Sequence, residues 1–335
     1  MRKLEETAVW REARAIPEAL ERTVEAARGI DDVAALVAGR KRVVVTGNGA
    51  SYYAALALWL ASLDNETSPV DVVAIPAGLL AGGEFAWRSG DVLLAISSSG
   101  ELRDVVEAIR ASPPVPVAAI TATADSTIAR AATAVAVVHV ERQTALTHTQ
   151  AFCGNVLTAL SVGARLCDDT LLDRAIRSAP SAVRRALALA GDWAGRVADQ
   201  EPSPRAAIVL GSRHAWPAAL EAALLLKEVA RIPSEGHESR EGATSGMYAL
   251  ARGQLAVSLP TADDPLLEEA EATCAGTGAT VVRAPGGELA DPRLAAITTF
   301  PAALALAVEL GLRAGHDVDA PGWADAYYAT ARVTE

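Results

Sequence analysis

Short apolar runs recur along the first half of the chain, each followed by a stretch with helical spacing. RVVVTG (42–47), VDVVAIP (70–76), DVLLAISSS (91–99), VPVAAIT (115–121) and AVAVVHV (134–140) predict strands, and residues 50–63 and 101–111 predict helices between them. Runs that are apolar on both faces and alternate with helices predict a parallel sheet covered on both sides. Residues 4–27 alternate apolar and charged positions at helical spacing and predict one amphipathic helix, with a short second helix at 31–38. Residues 144–166 and 169–196 predict two longer helices, and the polar stretch ADQEPSPR (198–205) reads as a linker.

The pattern then restarts. AAIVLG (206–211) predicts a strand ending in glycine, and residues 216–229 predict a helix. QLAVSLP (254–260), 265–275, TVVRAP (280–285) and 301–314 continue the alternation of strand and helix. GNGASYYAALALWL (47–60) and GSRHAWPAALEAAL (211–224) share one layout, glycine followed at a fixed interval by Ala-Ala-Leu. This internal repeat predicts two related α/β units with ligand sites near the carboxyl ends of the strands.

Composition narrows the possible partners. The net charge of −11 argues against nucleic acid, which needs basic patches, but not against a small phosphorylated ligand held by helix N-termini. No apolar run is expected to cross a membrane, and the charged N-terminus does not resemble a signal peptide. A cytoplasmic location is therefore expected. Cys153, Cys167 and Cys274 lack metal-type spacing and suit a reducing compartment, and neither metal nor cofactor is expected. Lysine occurs only at positions 3, 41 and 227, so Lys227 beside Glu228 stands out in an apolar helix.

Two turns carry the candidate chemistry. Gly47-Asn48-Gly49-Ala50-Ser51 joins a strand to a helix and forms an anion cradle from glycine backbone and the Ser51 hydroxyl. Ser97-Ser98-Ser99-Gly100-Glu101 is the second such turn. One serine suffices to cap a helix, whereas three followed by glycine favour a phosphate site.

These turns resemble the phosphate-binding loops of the SIS (sugar isomerase) domain. LTHTQAF (146–152) resembles that family's loop opening a helix after the fifth strand. Residues 211–236 are similar to the second SIS domain of the isomerase half of glucosamine-6-phosphate synthase, and GHDVDAP (315–321) resembles its C-terminal motif. The resemblance implies two SIS-type subdomains, at 30–197 and 206–335, after an N-terminal helical segment at 1–29. It also implies that Gly49, Ser51, Ser97, Ser98 and Ser99 hold a sugar phosphate and that Glu228 is the base moving a proton between C1 and C2. Thr149, Gln150 and Lys227 fall at further pocket positions. A homodimer is expected, as is the absence of glutaminase activity.

Several positions depart from the family pattern. Thr244 stands where the isomerase carries a ring-opening histidine, with His237 seven residues earlier. Leu102 replaces a threonine, Gln150 a lysine, and the C-terminal segment has no lysine, Arg332 being its nearest cation. His148 either protonates the ring oxygen, as a histidine can near neutral pH, or merely caps a helix. His237 is the second candidate for that proton. Two functions from different classes fit: an isomerase or deaminase of a hexose or hexosamine 6-phosphate, and a non-catalytic sugar-phosphate sensor.

Overall fold

Pro17 breaks the first expected helix. A proline ring lacks an N–H and clashes with the preceding turn, so residues 4–27 form a 3-10 turn at Leu4–Glu6, α1 (Ala8–Ala13) and α2 (Ile16–Glu25) rather than one helix. The computed structural model describes residues 2–64, 68–141, 143–261, 264–286 and 290–332. It continues through α3 (Ala27–Val37), β1 (Arg42–Gly47), α4 (Ala50–Leu63), β2 (Asp71–Pro76), α5 (Ala77–Ala81), β3 (Asp91–Ile96), α6 (Arg103–Ala111), β4 (Val117–Thr121), α7 (Thr127–Ala131), β5 (Ala134–Val137), α8 (Thr149–Leu166) and α9 (Thr170–Gln200). The second half adds β6 (Ala207–Gly211), α10 (Trp216–Glu228), β7 (Ser234–Glu238), α11 (Ser239–Thr244), β8 (Leu255–Leu259), α12 (Pro265–Gly276), β9 (Thr280–Arg283), α13 (Ala295–Arg313) and α14 (Ala324–Ala331).

The fold is α/β, with two parallel sheets flanked by helices. One has the order β2-β1-β3-β4-β5, the other β7-β6-β8-β9, and every strand pair is parallel. The second order is the first with its last strand removed, so the sequence repeat has a topological counterpart. Its two glycines do the same work. A Cβ on Gly47 would lie 2.7 Å from the Ser51 carbonyl carbon, and one on Gly211 would lie 2.6 Å from the Trp216 Cα. In both halves a glycine lets the following helix press onto the end of the strand.

By compactness the chain divides into two units that are discontinuous in sequence. One contains Glu18–Glu141, Gln150–Arg177 and Trp323–Glu335, the other Met1–Pro17, Arg142–Thr149 and Ser178–Gly322. In the first, β1 and β3 are fully buried along their length. Val44, Leu93, Ala95, Val105 and Ile128 form part of its core. Arg42 and Asp91 close the amino ends of β1 and β3 with a paired bond, Nε to Oδ1 at 3.0 Å and Nη2 to Oδ2 at 2.6 Å. The guanidinium also lies 5.1 Å from the centroid of the Phe85 ring.

The second unit is organised by α10 and α13. Gly236 lets β7 approach α10, since a Cβ there would sit 2.5 Å from the Ala219 carbonyl oxygen. Pro301 was expected to open the last long helix, but α13 begins at Ala295 and carries the proline inside. The segment 292–313 is long and apolar enough to cross a bilayer, which corrects the expectation that no run is. It is 94% buried within the fold, as a core helix is. The expected linker at 198–205 also starts later, because α9 continues through Gln200. The DVD segment is a structural turn: Asp317 accepts from the Asp319 and Ala320 N–H groups, and Asp319 accepts from Val9 N at 2.9 Å.

Candidate functional site

In the first sheet β1 sends the chain to one side, to β2, while β3 leads to β4 on the other. The strand order therefore reverses between β1 and β3. In open α/β sheets ligands bind outside the carboxyl ends of the strands at such a switch point. Thr46 and Ala95 are register partners there, so the turns that follow, 47–51 and 97–101, lie side by side.

The first turn exposes backbone donors. Gly49 caps α4 with φ of 50°, a left-handed conformation suited to glycine. Ser51 sits in the first turn of α4 and is buried. Asn48 is held by its amide donating to Asp104 Oδ2 at 2.7 Å, which ties this turn to the start of α6.

The second turn is built by its own hydroxyls. Ser97 Oγ accepts from Gly100 N at 3.1 Å, and Ser99 Oγ accepts from Glu101 N at 3.2 Å. Ser98 Oγ accepts from the Asn155 amide of α8 at 3.0 Å. A hydroxyl has one O–H donor besides its lone pairs. Each of these bonds uses serine oxygen as the acceptor and leaves its O–H to donate, which is the capability a phosphate needs. Gly100, at φ +68°, has no room for a Cβ because Ser126 Oγ lies against it. Glu101 turns aside to cap α7, accepting from Thr127 N at 2.8 Å and Thr127 Oγ1 at 2.7 Å.

Positions where this chain departs from the SIS pattern have structural occupations. Leu102 packs against the core of the first unit. Gln150 is buried, and its Oε1 accepts from Glu141 N at 2.8 Å. In the second unit, His148 is exposed in the residue before α8, and the buried Thr149 is 3.5 Å from the Gln143 amide. His237 Nε2 is 3.1 Å from Glu235 Oε2. Its ring lies against Gly246, where a Cβ would approach Nε2 to 2.9 Å. Thr244 Oγ1 donates back to Arg240 O at 2.8 Å.

Glu228 is the last residue of α10, and burial pushes its pKa up to about 7, with the Lys227 charge acting in the opposite direction. Lys227 itself is exposed. Sequence reasoning passed over Glu221, on the same helix. It is only 5% exposed, and its proton affinity is raised first by burial and then by the charge of Glu228. Its Oε2 has no hydrogen-bond partner among the described residues. The signal was present in the sequence: two glutamates seven apart on a largely apolar helix share one face.

The corresponding turns of the second sheet have another character. Ser212 follows β6 and donates its hydroxyl to Asp264 Oδ2. The Asp264 Oδ1 in turn accepts from Leu266 N at 3.0 Å and Leu267 N at 3.3 Å at the start of α12. Arg213 in that turn adopts φ of 47°. Among the described residues no His, Cys, Asp and Glu side chains group in a way that would hold a metal ion.

This chain matches the SIS domain model over residues 36–166. It is 28% identical over 219 residues to glutamine–fructose-6-phosphate aminotransferase (isomerizing) of Pyrobaculum aerophilum, covering 63% of this chain and 36% of that protein. The Acidithiobacillus ferridurans protein of the same name is 29% identical over 281 residues, covering 77% of this chain and 43% of that one. The chain thus spans well under half the length of these curated relatives. Its fold is shared with the C-terminal domain of the Francisella tularensis glucosamine-fructose-6-phosphate aminotransferase, at a TM-score of 0.81 and 19% identity over 94% of this chain and 98% of that one. It is shared also with glucosamine-6-phosphate deaminase of Thermotoga maritima, at a TM-score of 0.74 and 17% identity over 91% of this chain and 97% of that one.

Proposed function

We propose that this chain binds a phosphorylated sugar and catalyses aldose–ketose isomerisation, or deamination, of a hexose or hexosamine 6-phosphate. The observation that carries the reading is the pair of turns at the β1/β3 switch point, where Ser97, Ser98 and Ser99 keep their O–H groups for an acceptor. Ser51 and the Gly49-capped start of α4 supply the remaining donors. The names of the curated relatives and of the deaminase neighbour support the same substrate class.

Glu228 is the proton-transfer base. A carboxylate whose pKa lies near neutrality can both take and return a proton at physiological pH. It removes the C2 proton of the open-chain aldose, an enediol forms, and the proton returns to C1. His148 and His237 are the candidates for opening the ring. The protein works in the cytoplasm as a homodimer.

The test is solvent deuterium exchange followed by NMR, with glucosamine 6-phosphate and fructose 6-phosphate offered separately. Deuterium at C1 or C2, abolished by Glu228→Gln, supports the enzyme, and release of ammonia selects deamination. Ligand line broadening with no deuterium entry assigns a sugar-phosphate sensor instead.

A further inference from the structure

An aldose–ketose conversion moves two protons. One passes between the carbons, and the other between the oxygens they carry. Glu228 accounts for the first. We propose that Glu221 is the second proton carrier, an uncharged acid that exchanges its proton with the O1 and O2 atoms of the sugar. This assignment rests on the reading of Glu228 as the carbon base.

Three observations within the second unit support it. First, seven residues separate the two glutamates, which at 3.6 residues per turn puts them within about 20° of each other on α10 and about 10.5 Å apart along its axis. Lys227 is about 100° round the helix from Glu228 and exposed, so it lies off that face. Second, Glu221 is 5% exposed and its Oε2 lacks a partner among the described residues. A carboxyl group in that position keeps its proton, because the ionised form has nothing to replace its hydration. It then holds an O–H donor without an acceptor, and a ligand oxygen is such an acceptor. Third, the two groups feel one another: ionised Glu228 adds to the effect of burial in holding the proton on Glu221. Charges on the neighbouring elements β7 (Glu235, His237, Glu238) and α13 (Glu309, Arg313) are not among the causes acting on either carboxyl group.

The steps balance. Glu228 takes the C2 proton, the C–H pair forms the C1–C2 double bond, and the carbonyl pair moves onto O1, which takes the proton of Glu221. The O2 proton then passes to the Glu221 carboxylate. O2 becomes the carbonyl oxygen, and C1 takes the proton from Glu228. Both carboxyl groups finish as they began.

Glu221→Gln keeps shape and neutrality but has no acidic proton to give. Deuterium entry at C1 or C2 is expected to fall on the order of 100-fold or more, the usual share of a general acid, with KM little changed. In the wild-type protein, carbon-13 NMR of glutamate carboxyl carbons is expected to show Glu221 still protonated well above the ordinary carboxylate range, while Glu228 titrates at about 7. Exchange at the wild-type rate in the Gln variant overturns the proposal, as does ionisation of Glu221 within the ordinary carboxylate range. If the Gln variant fails to fold, the wild-type titration and Glu221→Asp decide the same question. Absence of exchange by the wild-type protein with every hexose and hexosamine 6-phosphate overturns the functional reading itself. That outcome is distinct from a wild-type rate that survives the substitution.

Discussion

The Asn155 amide donates to the Ser98 hydroxyl at 3.0 Å, linking α8 to the middle of the serine turn. Asn155 is fully buried, so the bond is shielded from water and fixes which way the Ser98 O–H can point. Asn155→Ala is expected to lower stability by about 1–3 kcal/mol and to weaken binding of a sugar phosphate several-fold. Calorimetric titration with the phosphorylated and the unphosphorylated sugar checks this. Equal losses for both would separate Asn155 from phosphate recognition.

Gly100 admits no side chain. Its φ is +68°, and an added Cβ would overlap Ser126 Oγ. Gly100→Ala is expected to cost at least about 1–2 kcal/mol from backbone strain alone and to abolish sugar-phosphate binding by displacing Ser99. A thermal melt together with the same titration measures both effects.

Glu228 makes stability depend on pH with a definite sign. Burial raises its pKa to about 7, against an ordinary value of 4.5, so the folded state binds this proton more tightly than the unfolded state. Its contribution is fully present below about 4.5 and is lost as pH rises through about 7. The Glu221 shift acts in the same direction. The melting temperature is expected to fall between about pH 5 and 8, and Glu228→Gln should flatten that slope. A slope unchanged in the variant would place its cause elsewhere.

Asp91 has the opposite sign. Burial raises its proton affinity, but the Arg42 hydrogen bonds, the Arg88 N–H and the two positive charges outweigh it and lower the pKa overall. Its contribution is present above the ordinary carboxylate range and is lost as pH falls through the lowered value. Asp91→Ala leaves Arg42 buried without its carboxylate and is expected to cost about 3–5 kcal/mol, measured by urea denaturation at neutral pH. A loss below about 1 kcal/mol would mean the pair behaves as a surface ion pair.

The central strands were legible because burial on both faces leaves a continuous apolar run, as in RVVVTG and DVLLAI. β7 was not, because SEGHE is an edge strand whose side chains are mostly half-buried or exposed, and its polar sequence reads as a loop. Pro17 and Pro301 misled in opposite ways. The first ends a pattern whose periodicity runs straight through it. The second is carried inside a helix that is held by burial along almost its whole length. The serine turns were legible from residue type, but not the division of labour within them, since the bonds to Gly100, Glu101 and Asn155 depend on tertiary placement. Glu221 went unread because its seven-residue spacing from Glu228 shows a shared helix face but not that this face is buried.

The turn after β6 occupies the same topological position as the turn after β1, yet Ser212 already donates to Asp264. That carboxylate belongs to the chain, so it competes with any dissolved anion at the high effective concentration of a tethered ligand. In the second half the chain's own carboxylate thus takes the hydroxyl donor. Saturation with a sugar phosphate should stop at one molecule per chain, and Asp264→Asn would be the change that reawakens a second, ancestral stoichiometry.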